Sequence, residues 1–329
     1  MQRRPVGSSG LEVSRIGLGT MTWGEDTSPA EAGDQLRAFV DAGGNLVETA
    51  DDYGGGAAQQ VLGGLLRGTV ARDEVVLAGR GSAMGAPGRS GVAGSPGRGG
   101  PERASRAALL RSLDGTLRRL GVDHLDLWQF PGWDPRVPVD EMLSAVQVAV
   151  YSGRVRYAGL AAPRGWQLAT VAAAAGAGPD PAVSRPVSTQ VEYSLLAREP
   201  EAELLPAAQF HGLGVLAWAP LGRGVLTGKY TDGTPADSRG ASALLASYVE
   251  ARRTEHSARI VQSVLTAADG LGTSPLVVAL TWVRDRPGVA AAVVGARDAA
   301  QLRASLAAED VTLPAEIRTA LDDVSDPVR

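Results

Sequence analysis

Short apolar runs alternate with longer amphipathic stretches along most of this chain. Ile16–Leu18, Leu46–Glu48, Val75–Ala78, Leu125–Trp128, Tyr157–Leu160, Ser188–Val191, Gly214–Ala217 and Ala292–Val294 have the length and composition of buried strands. Between them lie stretches of roughly 10–18 residues with helical periodicity. Eight strand–helix alternations predict an α/β fold with a parallel sheet, and eight is the number that closes a (β/α)8 TIM barrel. The pattern alone leaves a doubly wound sheet open, although no G-x-G-x-x-G stands between the first of these strands and the first helix.

Ahead of the first strand, Arg4–Val6 and Leu11–Val13 around Ser8-Ser9-Gly10 read as a β-hairpin. Helix boundaries are marked too. Ser28-Pro-Ala-Glu31 forms a capping box with proline at N1, opening a helix to about Ala42. Ser274-Pro275 precedes a helix over Leu276–Arg286, and Arg103–Leu120 is an amphipathic helix ending at Gly121. Two stretches break the rhythm: Gly85–Gly100, a Gly/Ser/Pro/Arg-rich loop after the third strand, and Tyr230–Thr254, a long loop after the seventh. Long loops at that end of a barrel are where specificity elements belong. No inter-domain linker is visible, so residues 1–329 are expected to form one barrel domain.

Composition narrows the function classes. A formal charge of −4 with both signs interspersed carries no nucleic-acid or membrane footprint, and the expected partner is a small-molecule substrate. No apolar run approaches the roughly 18 residues of a membrane span, and no signal-peptide core is seen at the start. Cysteine is absent, which removes disulfides, thiolate nucleophiles and thiolate metal sites and makes a cytoplasmic location the expectation. His124, His211 and His256 have no ligand spacing, so no metal is expected. Arginine replaces lysine almost everywhere; the single lysine, Lys229, sits where that exchange was not made.

The chemically distinctive residues fall at the strand C-termini. Glu48 ends the second strand with Tyr53 just beyond it, Arg80 follows the third and Pro131 the fourth. Ala161-Ala162 ends the fifth, Gln190 lies in the sixth, Trp218 ends the seventh, and Gly295-Ala-Arg297 follows the eighth. A barrel places all of these on one face. Asn45-Leu-Val-Glu-Thr-Ala-Asp-Asp-Tyr-Gly54 resembles the N-x-x-D-T-A-x-x-Y-G segment of aldo-keto reductases, and the likeness runs from Gly17–Gly24 to Gly295–Leu302. It implies a TIM barrel, NADP(H), and Tyr53 as catalytic acid, with Glu48, Arg80 and Pro131 where the family has aspartate, lysine and histidine. Trp218-Ala-Pro-Leu-Gly-Arg-Gly-Val-Leu-Thr-Gly-Lys229 is similar to the family's W-S-P-L-x-x-G-x-L-x-G-K run. The resemblance therefore puts Trp218 on the nicotinamide and the backbone through Pro220, Leu221, Arg223 and Gly224 around the pyrophosphate. Lys229 and Arg239 would clamp phosphate. Thr20, Met21 and Gln190 would join the cofactor set, Gln190 at the carboxamide that Ala161-Ala162 cannot bind. Gly295, Arg297 and Gln301 would hold the adenosine end, Ser305 replacing an asparagine there. An Arg297 fork beside a helix N-terminus with free N–H groups would select NADP over NAD. Trp23, Pro131 and Trp133 would line the substrate pocket, and Phe130 would serve either the pocket or the core.

The altered positions bear on the reaction. Glu48 and Arg80 keep the family's charges, an Arg–carboxylate pair can form, and a guanidinium near Tyr53 would favour the phenolate. Glutamate is one methylene longer, however, and a misplacement of about 1 Å costs on the order of 10²-fold. Pro131 has no donor, and losing one such group costs about 10²–10³-fold. Impaired aldehyde reduction follows. Three readings stay open: an NADP(H)-dependent oxidoreductase for an unusual acceptor (imine, enone or activated carbonyl), a cyclase or dehydratase using Tyr53 and Glu48 as acid and base, or a silent NADP(H)-binding partner protein.

Overall fold

The computed structural model describes residues 1–81, 104–131, 133–178, 180–236, 238–242 and 245–327. A two-stranded antiparallel hairpin of β1 (Arg3–Pro5) and β2 (Glu12–Ser14) opens the chain. Eight parallel strands follow: β3 (Ile16–Gly19), β4 (Leu46–Ala50), β5 (Val76–Arg80), β6 (Leu125–Pro131), β7 (Val155–Ala161), β8 (Ser188–Glu192), β9 (Gly214–Trp218) and β10 (Val289–Val294). They close in sequence order, with β10 paired to β3. The fold is the (β/α)8 barrel with an N-terminal hairpin.

Helices alternate with the strands: α1 (Pro29–Asp41), α2 (Ala57–Gly68), α3 (Arg106–Leu120), α4 (Val139–Tyr151), α5 (Gly165–Ala177), α6 (Pro181–Ser184), α7 (Leu204–Phe210), α8 (Ala246–Glu250), α9 (Glu255–Leu271), α10 (Pro275–Arg284), α11 (Ala299–Leu306) and α12 (Ala315–Val324). Capping side chains mark several of their starts, Ser28 and Ser274 among them as expected. Ser28, Ser105, Thr254 and Ser274 each accept a backbone N–H from inside the helix, and Gly121 ends α3 in the left-handed conformation. Ser28 caps α1, but the capping box does not close. Glu31 turns away and accepts the Ala299 N–H at the start of α11, where an unsatisfied donor and the helix dipole attract a carboxylate.

Strands β5 and β6 run further than the sequence pattern predicted, which brings Arg80 and Pro131 into the sheet itself. The stretch 230–254 is not a bare loop: it carries a short 3-10 turn (Arg239–Ala241) and α8. The expected Gly85–Gly100 loop lies outside the described residues. Among the described residues no single helix is long and apolar enough to cross a membrane, and no group of three or more His, Asp or Glu could hold a metal.

Two apolar layers position the site. Between sheet and helices, strand residues such as Leu18, Val47, Trp128 and Phe130 pack against Leu36, Leu62, Leu113 and Val146. Inside the barrel, hairpin residues Val6, Leu11 and Val13 join Leu46, Ala78, Leu127, Leu216 and Val293. This plug fills the N-terminal mouth. The polar inward residues are thereby left at the C-terminal end, the functional end of such barrels.

Two adjacent glycines on α2 test the packing. A Cβ on Gly63 would fall 2.3 Å from the Leu120 carbonyl oxygen, whereas one on Gly64 meets nothing within 4 Å. Alanine at 64 should stabilise by about 0.5–1 kcal/mol through helix propensity. Alanine at 63 should instead destabilise by about 1–3 kcal/mol, because backbone must move. Urea unfolding of the two variants gives opposite signs if α2 and α3 meet this closely.

Candidate active site

The centre of the site is a buried carboxylate. Glu48 sits in β4 opposite Gly19 of β3, and a side chain at 19 would come within 3.4 Å of Glu48 Oε2. That glycine leaves room for the longer acid. The Tyr53 hydroxyl donates toward both carboxylate oxygens, at 3.1 Å to Oε1 and 3.3 Å to Oε2. Gln190 Nε2, from β8, donates to Oε1 at 3.0 Å. Tyr53 is carried there by the turn that follows β4, where Gly54, Gly55 and Gly56 all have positive φ (56°, 61° and 99°). Three successive left-handed residues are accessible to glycine alone at low cost, which accounts for Tyr-Gly-Gly-Gly.

Arg80 does not pair with Glu48 as expected. Its Nη2 donates to Asp52 Oδ1 at 2.8 Å, and the guanidinium carbon lies 5.4 Å from the Tyr53 ring centre. Asp52 is the site residue that sequence reasoning missed; its signal was an acidic residue next to Tyr53 in a chain with Arg80 at the end of the neighbouring strand. The electrostatics follow. Burial raises the Glu48 pKa, against the opposing pull of Arg80, Gln190 and Tyr53. Burial and then the Glu48 carboxylate push Tyr53 well above the usual tyrosine value, and Arg80 only partly offsets them. The guanidinium does favour the phenolate, as expected, but burial and Glu48 outweigh it. Burial works to lower Arg80, but Tyr53, Asp52 and Glu48 outweigh it and hold the guanidinium protonated.

The neighbouring rim is stripped of donors. Pro131 ends β6 directly beside Ala161 of β7. Ala162 is held at φ 45°, a left-handed conformation costing a non-glycine residue on the order of 1 kcal/mol. Trp133 is half-buried in edge contact with Trp166 of α5, ring centres 4.9 Å apart, and Trp166 is 46% exposed. Trp23 is a correction. It is 0% exposed, its Nε1 donates to Gln35 of α1 at 3.0 Å, and it belongs to the core instead of a pocket wall. Phe130 is core as well.

Most of the expected cofactor segments converge on the same face. Trp218 ends β9 only half-buried. After it, Ala219 (φ 50°), Gly222 (55°), Arg223 (63°) and Gly224 (92°) give a turn with repeated left-handed residues, Pro220 and Leu221 lying within it. The Gly222 and Gly224 N–H groups bond back to the Ala219 and Leu221 carbonyls at 2.9 and 3.0 Å, and the remaining N–H groups of such a turn are the ones an anion nest would use. A Cβ on Gly224 would lie 3.3 Å from Lys229 Nζ, so the lone lysine reaches this turn. The Arg223 side chain, in contrast, is buried against Glu192. Thr20 is buried near Glu48, its N–H on the Glu48 carbonyl at 3.0 Å, and Met21 follows it half-buried. Arg239 opens the 3-10 turn, and its side chain lies outside the described set.

At the expected adenosine end, Thr22 and Thr27 hydroxyls bind the Ala296 and Arg297 carbonyls, fixing the Gly295–Arg297 loop. The α11 N-terminus is not free, contrary to expectation. Asp298 accepts the Gln301 N–H at 2.7 Å, Glu31 accepts that of Ala299, and Gln301 spans the Arg297 N–H and Asp298. Ser305 is spent on the Gln301 carbonyl of its own helix. Glu31 lies far off in sequence, so no local pattern could have shown that it fills this position.

Glu48 offers a stability test. Its carboxyl is raised above the ordinary glutamate value near 4.3, so folding is favoured by its protonated form. That contribution is complete below about pH 4.3 and is lost as pH rises through the raised value. Glu48→Gln keeps an Oε1 that can accept from both Tyr53 and Gln190 and carries no charge. Its melting temperature should match the wild type near pH 4 and exceed it increasingly toward pH 7; a pH-independent difference would mean that burial of charge at 48 is not costly.

Comparison with known proteins agrees with this geometry. Residues 15–326 match the aldo/keto reductase family. The chain is 33% identical to the uncharacterized oxidoreductase YrpG of Bacillus subtilis, over 98% of its own length and 96% of that protein's. It is 30% identical to the aldo-keto reductase YhdN of Bacillus subtilis, covering 100% and 96%. A probable voltage-gated potassium channel subunit beta of Arabidopsis thaliana is 29% identical over 94% and 92%. Members of this family generally bind NAD(P)H. The chain, with its carboxylate-bound tyrosine, belongs to the aldo/keto reductase family.

Proposed function

We propose that this chain is an NADP(H)-dependent oxidoreductase whose acceptor is a cation or an otherwise activated double bond, an imine before an enone or activated carbonyl. The observation that carries the reading is the pairing of Arg80 with Asp52. The charged groups acting on Tyr53 are Glu48, Arg80 and Asp52. Two carboxylates face one guanidinium, and Asp52 holds it at 2.8 Å. Whenever Glu48 is ionised, the site carries an excess negative charge with only neutral donors on that carboxylate.

Such a site suits an iminium better than a ketone. A carbonyl needs donors at its oxygen as negative charge develops there. Here the Tyr53 proton is directed at Glu48, and Pro131 has none. A cation arriving beside Glu48 needs no donor, and it relieves the cost that burial imposes on the carboxylate. The half-exposed Trp133–Trp166 pair and the donor-free Pro131, Ala161 and Ala162 suit an apolar, flat body for the substrate.

The residues present fit a dinucleotide. Gln190 Oε1 and Thr20 Oγ1 are buried without a hydrogen-bond partner among the described residues. Gln190 Oε1 is an acceptor suited to a carboxamide N–H. Trp218 offers a ring face, the 219–224 turn offers backbone donors, and Lys229 and Arg297 offer positive charge. With the α11 N-terminus already filled, preference for NADP rests on Arg297. When bound, the nicotinamide supplies the hydride. The protein's part is to orient it through Gln190 and Trp218, to hold the phenol proton between Tyr53 and Glu48, and to balance charge through Asp52 and Arg80.

A second reading, a silent NADP(H)-binding protein, is supported by the potassium channel beta subunits among the relatives. Two measurements separate them. NADPH at micromolar concentration should quench tryptophan fluorescence in the wild type and much less in Trp218→Phe. With NADPH bound, a cyclic imine should be turned over and a simple aldehyde hardly at all, and Glu48→Gln should lower kcat/KM for the imine by about 10²-fold. Binding without oxidation of NADPH by any imine, enone or carbonyl would favour the silent protein. The triple change Glu48→Asp, Arg80→Lys and Pro131→His should raise aldehyde reduction above the wild type.

A further inference from the structure

Behind the 219–224 turn lies a polar cluster that the chemistry above does not use. Glu192 ends β8 beside Trp218 of β9. Both its oxygens engage Arg223, with Nε at 3.0 Å from Oε1 and Nη2 at 2.6 Å from Oε2. The third nitrogen, Nη1, donates to the Tyr248 carbonyl at 2.8 Å, and the guanidinium lies 3.6 Å from the centre of the Tyr248 ring. Arg252 adds a contact from Nη2 to Glu192 Oε1 at 3.1 Å, and its Nη1 donates to the Leu196 carbonyl at 2.9 Å.

One carboxylate therefore gathers two arginines from opposite ends of a single excursion. Arg223 stands where the chain leaves β9, and Arg252 where it returns before α9. The pairing is bidentate, nearly dry and shared, the arrangement in which an ion pair fixes geometry most firmly. Arg223 is also one of only three non-glycine residues at positive φ among the described residues. A backbone in that region persists only where its surroundings hold it. At Arg223 the surroundings are its own side chain, clamped between Glu192 and Tyr248.

We propose that Glu192 is a positioning residue for the dinucleotide: through Arg223 it holds the 219–224 turn in its left-handed shape, and through Arg252 and Tyr248 it ties the returning chain to that turn. This rests on reading the turn as the pyrophosphate cradle. Backbone donors bind an anion strongly only when their directions are set beforehand, so loss of the clamp shortens the life of the complex.

The test is the rate at which bound NADPH leaves the full-length protein, followed by its own fluorescence while excess NADP is mixed in. Glu192→Gln should speed release by about tenfold or more, and Glu192→Asp, which keeps the charge, should recover part of the loss. Gly63→Ala, destabilised on the far side between α2 and α3, serves as the control and should release NADPH within about twofold of wild type. If Glu192→Gln does not fold, Tyr248→Leu, which removes the stacking face alone, should still speed release severalfold. Release at the wild-type rate from these variants, or equal acceleration in Gly63→Ala, overturns the proposal while leaving the cofactor reading intact. No NADPH binding by the wild type overturns both.

Discussion

Closure of β10 onto β3 is the constraint on which the site depends. A closed parallel barrel has no free edge, so its register cannot slip, and the two-residue period of each strand then assigns every side chain to the inside or the outside. Leu46 and Glu48 point inward from β4 for the same reason. The hairpin residues Val6, Leu11 and Val13 fill the barrel at the level of Leu46. Two residues further along the strand there is no plug, and the same inward direction presents Glu48 to Tyr53 and Gln190. An apolar floor and a polar ceiling are successive steps of one strand.

What that ceiling does is decided by a redistribution of partners. The resemblance to aldo-keto reductases suggested an acid–cation pair supporting a tyrosine. Here there are two separate couples, Asp52 with Arg80 and Glu48 with Tyr53. Arginine's wide guanidinium favours a fork onto a carboxylate at the rim, while the longer glutamate reaches the phenol directly. The tyrosine consequently holds its proton more firmly, and the carboxylate it leans on accepts hydrogen bonds from the neutral Tyr53 and Gln190.

Backbone strain is concentrated on the same face. Ala162, Ala219 and Arg223, the described non-glycine residues at positive φ, follow the ends of β7 and β9. Strain of this kind survives where neighbouring structure enforces it, and it gathers where a ligand must be met by backbone. Arg223 shows how: its backbone stands in the turn while its side chain is engaged by Glu192 and the Tyr248 carbonyl.

Hydrophobic spacing by itself marked the eight strands, and capping marked the helix starts at Ser28 and Ser274, because period and capping are local properties; the pattern left a doubly wound sheet open, and closure of the barrel was decided in three dimensions. It also placed Glu48, Tyr53, Arg80, Pro131, Gln190 and Trp218 in the strands or just past them, toward one face of a barrel. Which of them touch was not a local property. That Asp52 takes Arg80, that Glu31 of α1 fills the start of α11, that Trp23 turns into the core toward Gln35, and that Glu192 gathers Arg223 and Arg252 were decided only in three dimensions. The physical reason is reach. Side chains several ångströms long select partners across the barrel by distance and desolvation, and sequence spacing constrains neither once the chain has closed.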